Sequence, residues 1–236
     1  MVDGCMNSVN DRDQSRHCVY LLLALLAAMV VFPQLPERAG EVGIGMTIAH
    51  TLLIITGSFS VSKHRVVTVT MIAALGLTYF LMGLALTLAG RFGADASTQK
   101  NLLVVSFIFA IPFYLWVLYV LFRYVMEGYI LTGDRITAAV CIYLLFGIIM
   151  GMSYAMLWQL DPGEFQFSNS LTDRSFDHMN SFMYYSFATM TTLGSKSVEP
   201  VSNYAQSMTI LEAAGGVVYL LVVIPRLALM YRLKAE

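Results

Sequence analysis

Charge is what this chain has least of. Asp, Glu, Lys and Arg make up 12 % of its 236 residues, against roughly 25 % in soluble domains, and 58 % of the residues are hydrophobic. So little polar surface cannot clothe a water-soluble domain, and the chain reads as a multi-pass integral membrane protein surrounded by lipid. A net charge of −1 supplies no basic field, which excludes nucleic acid as a partner. The three cysteines, Cys5, Cys18 and Cys141, are scattered and form neither a disulfide framework nor a metal-ligand spacing. No metal and no cofactor is expected. The apolar runs hold no nucleophile–base pair, so an enzyme is not expected either. The segment 1–17 is polar and carries acids but lacks a basic n-region and a small-residue cleavage site. It reads as a short cytoplasmic tail rather than a signal peptide. Low-complexity tracts and extramembrane domains are missing too, so no appended nucleotide- or calcium-binding domain is expected.

What is present is a series of apolar runs. Six spans can be drawn: Cys18 to Phe32, Val42 to Val61, Val66 to Ala89, Leu102 to Val125, Ile136 to Leu160, and Met208 to Met230. All but the first approach the ~20 residues needed to cross ~30 Å of hydrocarbon. Lys and Arg collect on one side of this layout, with Arg12, Arg16, Lys63, Arg65, Arg123, Arg135, Arg226, Arg232 and Lys234. The other side holds Arg38, Arg91, Lys100, Arg174 and Lys196. The positive-inside rule then makes both termini cytoplasmic. Pro112 should kink the fourth span. That span has a single arginine, Arg123, at its cytoplasmic end, where the side chain reaches the interface. Without a ladder of gating charges, steep voltage dependence is not expected. His50 is the ionisable side chain deep in the second span, read either as a satisfied interhelical histidine or as a pH sensor.

Between the fifth and sixth spans, Asn180 to Thr192 has helical spacing but is too short to span a bilayer. It ends in Thr191-Thr192-Leu193-Gly194, a small-residue turn. A short helix that descends between two spans and returns as irregular backbone is a re-entrant loop. Such backbone survives at membrane depth only when buried in protein or lining a water-filled cavity. The loop from Asp161 to Asp177 is acid-rich, with Asp173 and Glu164 besides, and reads as a cation-attracting vestibule or a solvated turret.

The run Tyr184-Tyr185-Ser186-Phe187-Ala188-Thr189-Met190-Thr191-Thr192-Leu193-Gly194 resembles the pore helix and lower filter of the tetrameric potassium-channel superfamily. With Leu131 to Ile136 and Leu160 to Phe165, the region Leu131 to Tyr231 is similar to small bacterial six-transmembrane ion channels. The fold implied is an all-α membrane protein with six transmembrane helices and a re-entrant pore helix and filter loop between helices five and six. Residues 18–130 would form a four-helix domain laid out like a voltage sensor without gating arginines, and 131–236 the pore domain. One pore loop without an internal repeat needs four copies to close a ring, hence a homotetramer; hetero-assembly with a channel subunit is the other arrangement. The resemblance also implies a bacterial inner membrane.

The resemblance assigns the ion pathway to Thr191, Thr192, Leu193, Gly194, Ser195, Lys196 and Ser197, with potassium and also sodium as permeant ions. The upper half departs from the family. Lys196 stands where a second glycine is usual, Ser195 where an aromatic ring is usual, and Ser197 where an aspartate is usual. Four lysine ammonium groups about 8 Å apart would repel by roughly 2 kcal/mol per pair at an effective dielectric near 20. Relief is expected from Glu199 or from Glu212, as a Lys196–Glu212 pair; otherwise Lys196 points into extracellular water. Glu212, Gly216, Tyr219 and Arg226 match the family. Gly215 and Gly216 read either as a gating hinge or as a close-packing site, and Pro225 as a second bend. The function implied is a weakly selective cation channel. Its rival is a non-conducting membrane scaffold or partner subunit that keeps the same fold.

Overall fold

The computed structural model of the chain describes residues 22, 23, 25, 26, 84, 85, 88, 95–126, 133–167 and 177–235. Apart from isolated helical residues in the first and third, the first three expected spans lie outside them, as do His50 and Asp173. The described part is mostly helical, with α1 (Ala96–Met126), α2 (Gly133–Leu160), α3 (Asp177–Met190) and α4 (Asn203–Ala235). Three stretches are long and apolar enough to cross a membrane: Ser97–Met126, Arg135–Leu160 and Asn203–Leu229. They are the expected fourth, fifth and sixth spans. The fourth and sixth begin five residues earlier than their apolar runs, because Ala, Gln and Lys continue a helix that hydropathy alone ends. α1 runs unbroken through Pro112, and α4 through Gly215, Gly216 and Pro225.

α2 is the hub. It packs against α1, α3 and α4, and 56 % of its apolar window is buried, against 17 % for α4. Phe113, Tyr114, Val117 and Leu121 of α1 share one apolar core with Ile142, Leu145, Ile149 and Met152 of α2. Between spans in hydrocarbon, this burial gains close packing rather than hydrophobic free energy, since lipid tails are as apolar as leucine. Small residues therefore decide where a third helix fits.

α3 enters such a groove. A Cβ on Gly147 would lie 2.6 Å from the Phe187 ring, and one on Gly151 2.8 Å from the Met183 sulfur. On α4, a Cβ at Gly216 would lie 2.6 Å from Met190 Cγ and 3.0 Å from the Met190 carbonyl. Gly147 and Gly151 are four apart and so share one face of α2. Of the two readings of Gly216, close packing is the one with a contact behind it. Gly216→Val should cost about 1–3 kcal/mol by overpacking, since a backbone carbonyl cannot move aside. Thermal unfolding in detergent checks this, and an unchanged midpoint would refute it.

The chain is not wholly helical. A two-stranded antiparallel pair joins β1 (Phe165–Phe167) to β2 (Val198–Pro200), with Gln166 opposite Glu199. A short 3-10 turn, Pro162–Glu164, leads from α2 into β1, and the Asp161 carboxylate caps it by accepting from the Gly163 N–H at 2.9 Å. The Glu164 carbonyl accepts from Val201 N at 2.9 Å, and its carboxylate accepts the Ser202 hydroxyl. Ser202 is also the N-cap of α4, taking the Ala205 N–H at 3.0 Å. Beneath the strands, Trp158, Phe165, Phe167, Phe182 and Tyr185 form a chain of edge-on and tilted rings, with His178 stacked against Trp158 and Phe167. These contacts fix the N-terminal part of α3 to α2.

Candidate functional site

The depth of α3 follows from its glycine contacts. Gly147 is the thirteenth of the 26 residues of the span Arg135–Leu160, and Gly216 the fourteenth of the 27 residues of Asn203–Leu229. Phe187 and Met190, the last turn of α3, press on these two midpoints. The helix therefore ends near the middle of both spans. Tyr143 adds a third anchor from α2, donating to the Met190 carbonyl at 3.3 Å.

Beyond Met190 the chain turns back. Thr192 has φ 61°, and Gly194 has φ 76°. Glycine adopts that region freely, but a β-branched residue there is a genuine outlier. The hydrogen bonds say what holds it. Thr192 N–H donates to the Thr189 carbonyl at 3.0 Å, which is one of the two bonds of a Schellman cap. The second, wider bond is made one residue late, by Gly194 N–H to the Ala188 carbonyl at 3.0 Å. Leu193, between two left-handed residues, is not left-handed. Alternation of φ sign turns successive N–H groups toward one side and, by the same geometry, successive carbonyls toward the other. The Thr191 hydroxyl is turned back onto α3, donating to the Phe187 carbonyl at 2.6 Å.

Thr191 through Gly194 are exposed in the single chain, Leu193 to 74 %. From Gly194 to Val198 the chain runs four residues, a reach of at most about 13–14 Å, with a bend at Lys196 and Ser197. At Val198 β2 meets β1, directly after α2 has ended. The segment thus runs as helix to the level of the midpoints of α2 and α4 and then leaves it as irregular chain.

The upper half of the loop has its own arrangement. The hydroxyls of Ser195 and Ser197 lie 2.9 Å apart, and Ser197 N–H donates to Ser195 Oγ at 3.3 Å. Lys196 between them is exposed and is not in the left-handed region. Its side chain forms no ion pair among the described residues. Glu199 is exposed on β2, and the Lys196–Glu212 pair expected from sequence is not formed.

Glu212 is engaged elsewhere. It is fully buried. Tyr154 of α2 donates to its Oε2 at 2.7 Å, and the Ser186 hydroxyl of α3 donates to Oε1. Ser186 Oγ lies 2.7 Å from the Gly147 carbonyl as well. One turn outward, the Tyr185 and Thr209 hydroxyls share a bond of 2.7 Å. The carboxylate therefore joins α2, α3 and α4 at one point. Glu212 is bonded to α3, the helix that precedes the turn, and to α2, rather than to Lys196. The physical reason is register. α3 and α4 descend in parallel, so Glu212 and Gly216 on one face of α4 meet Ser186 and Met190 on one face of α3.

Tyr154 and Tyr143 escape a reading of the sequence alone, since a tyrosine in an apolar run carries no positional signal. The groove on α2 does have one, the small-xxx-small spacing of Gly147 and Gly151. Among the described residues no group of three or more His, Cys, Asp or Glu is placed to hold a metal. Comparison with family models, with curated proteins and with solved structures returns no match for this chain.

Proposed function

We propose that this protein is a potassium-channel-like homotetrameric ion channel, passing monovalent cations with weak selectivity and little voltage dependence. One observation carries the reading: the turn at Thr191–Gly194 is irregular backbone, exposed in the single chain, at the level of the midpoints of the two apolar spans α2 and α4, which would lie at the bilayer midplane. Unpaired backbone is not tolerated against lipid there, so the turn must line a water-filled path or be covered by further protein. Four copies around an axis meet both conditions, each contributing carbonyls to a ring.

The exposure of α4 supports the same assembly. Ile210, Leu211, Val218, Leu221, Val222 and Ile224 are all more than half exposed. A helix apolar all round is one that other apolar groups surround, here neighbouring copies and lipid. The backbone above Gly194 supports weak selectivity. Lys196 does not take the conformation that a second glycine permits, and the Ser195–Ser197 bond replaces the packing of an aromatic ring. An exposed lysine at the mouth also favours the rival reading, a non-conducting scaffold, because its charge opposes cations.

Recording from the purified protein in planar bilayers under a potassium–sodium gradient decides between them. Currents that reverse close to zero are expected, with little dependence on voltage. A silent protein, or one whose mass in detergent is that of a stable monomer or dimer, would end the channel reading.

A further inference from the structure

Two half-buried arginines near one end of the described bundle carry buried nitrogens without a hydrogen-bond partner among the described residues. Arg135 lies in the first turn of α2. Its Nε and Nη1 are buried with no hydrogen-bond partner, and its guanidinium sits 5.5 Å from the centre of the Tyr124 ring. Arg226 lies in the inner part of α4. Its Nη2 donates to the Met126 carbonyl, while its buried Nε has no partner. Neither guanidinium forms an ion pair among the described residues.

Both side chains converge on the end of α1, at Tyr124 and at Met126. Their depths agree as well. The Tyr219 hydroxyl of α4 donates to the Ala139 carbonyl of α2 at 2.7 Å, which fixes the two antiparallel helices against each other. From that level Arg135 lies one turn toward the end of the bundle, about 6 Å, and Arg226 lies seven residues away, about 10 Å. The two guanidinium groups thus occupy adjacent levels beside the same helix end.

Arginine cannot shed its proton, so burial does not neutralise it. The carbonyl of Met126, the ring face of Tyr124 and the negative end of the α1 dipole offset part of the charge. Three buried guanidinium nitrogens, Arg135 Nε and Nη1 and Arg226 Nε, have no hydrogen-bond partner among the described residues, and unmet donors on a charged group are costly. A planar fork of donors suits a phosphate, which accepts bidentate bonds.

We propose that Arg135 and Arg226 together form a binding site for a phosphate-bearing anion at the inner ends of α1, α2 and α4. Two sources carry that group here, the headgroup of an anionic phospholipid and a soluble phosphate. Basic pockets between membrane helices on the positive-inside side suit the former. The site does not depend on whether the protein conducts.

The test uses the full chain purified in detergent, with dissociation constants read by native mass spectrometry and melting followed in parallel. The probes are phosphatidic acid, phosphatidylcholine and inorganic phosphate. Phosphatidic acid should bind at least tenfold more tightly than phosphatidylcholine, and Arg135→Gln should lose about tenfold of that affinity. Arg226→Lys, which keeps the charge and one donor to Met126, should lose several-fold. Arg123→Gln, an exposed arginine at the same helix end, serves as the control and should change binding by less than twofold. Stabilisation by millimolar inorganic phosphate that is lost in Arg135→Gln would support the site with a soluble source. Equal losses for Arg123→Gln and Arg135→Gln would mean diffuse surface attraction and would overturn the proposal. So would wild-type affinity for all three probes in variants that elute and melt as the wild type does.

Discussion

Glu212→Leu should destabilise the protein by about 1–3 kcal/mol, because it strands the buried Tyr154 hydroxyl, whereas Ser186 keeps the Gly147 carbonyl as an acceptor. Glu212 joins α4 to α2 through Tyr154 and to α3 through Ser186, so this one change reaches all three helices. The loss is not expected to depend on Lys196, so Lys196→Met in the same background should rescue nothing. Removing the partners should rescue instead. Tyr154→Phe with Ser186→Ala leaves no stranded donors, and the triple variant should recover most of the lost stability. A double-mutant cycle in thermal or denaturant unfolding measures the coupling. Additive effects of Glu212→Leu and Tyr154→Phe would show that the 2.7 Å bond contributes little. Rescue by Lys196→Met would restore the ion pair that the geometry rejects.

The second large effect is on ion passage, and it rests on the channel reading. Combining Ser195→Tyr, Lys196→Gly and Ser197→Asp should give potassium-selective current, with a reversal potential displaced toward that of potassium. Each change answers one feature of the loop. Glycine at 196 permits left-handed backbone, continuing the alternation that Thr192 and Gly194 begin. Tyrosine at 195 fills the space behind the ladder, and aspartate at 197 supplies a stronger acceptor than the hydroxyl that now bonds Ser195. Lys196→Gly alone should do less, since the Ser195–Ser197 bond would still hold the present conformation. A triple variant that assembles as a tetramer and stays silent to potassium would favour the scaffold. The lower turn matters in either case, because its strained Thr192 persists only where the surroundings over-determine it.

Several features are legible in the amino-acid sequence by itself. Composition alone marks a membrane protein, because 12 % charge cannot solvate a globular surface. Apolar run length places three spans, whose interiors α1, α2 and α4 then occupy. A helix of fourteen residues followed by small residues cannot cross a bilayer, so the re-entrant reading of α3 also lies in the sequence. What run length cannot give is the true start of a helix, since backbone bonding continues into polar residues that hydropathy counts as loop.

Tertiary structure decided the partners. Glu212 is close enough in sequence to Lys196 for a pairing to look natural, yet the face of α4 that carries it is turned toward Ser186 and Tyr154. That rotation is set by Gly216 against Met190, a contact between residues 26 apart that no local pattern encodes. The same contact shows Gly216 at a close approach to Met190. The two short strands were invisible because three residues carry no readable period, and their pairing joins segments more than thirty residues apart in sequence. The convergence of Arg135 and Arg226 on one helix end is likewise a product of packing. In sequence they are two basic residues 91 positions apart, and only the antiparallel register of α2 and α4 brings them to one place.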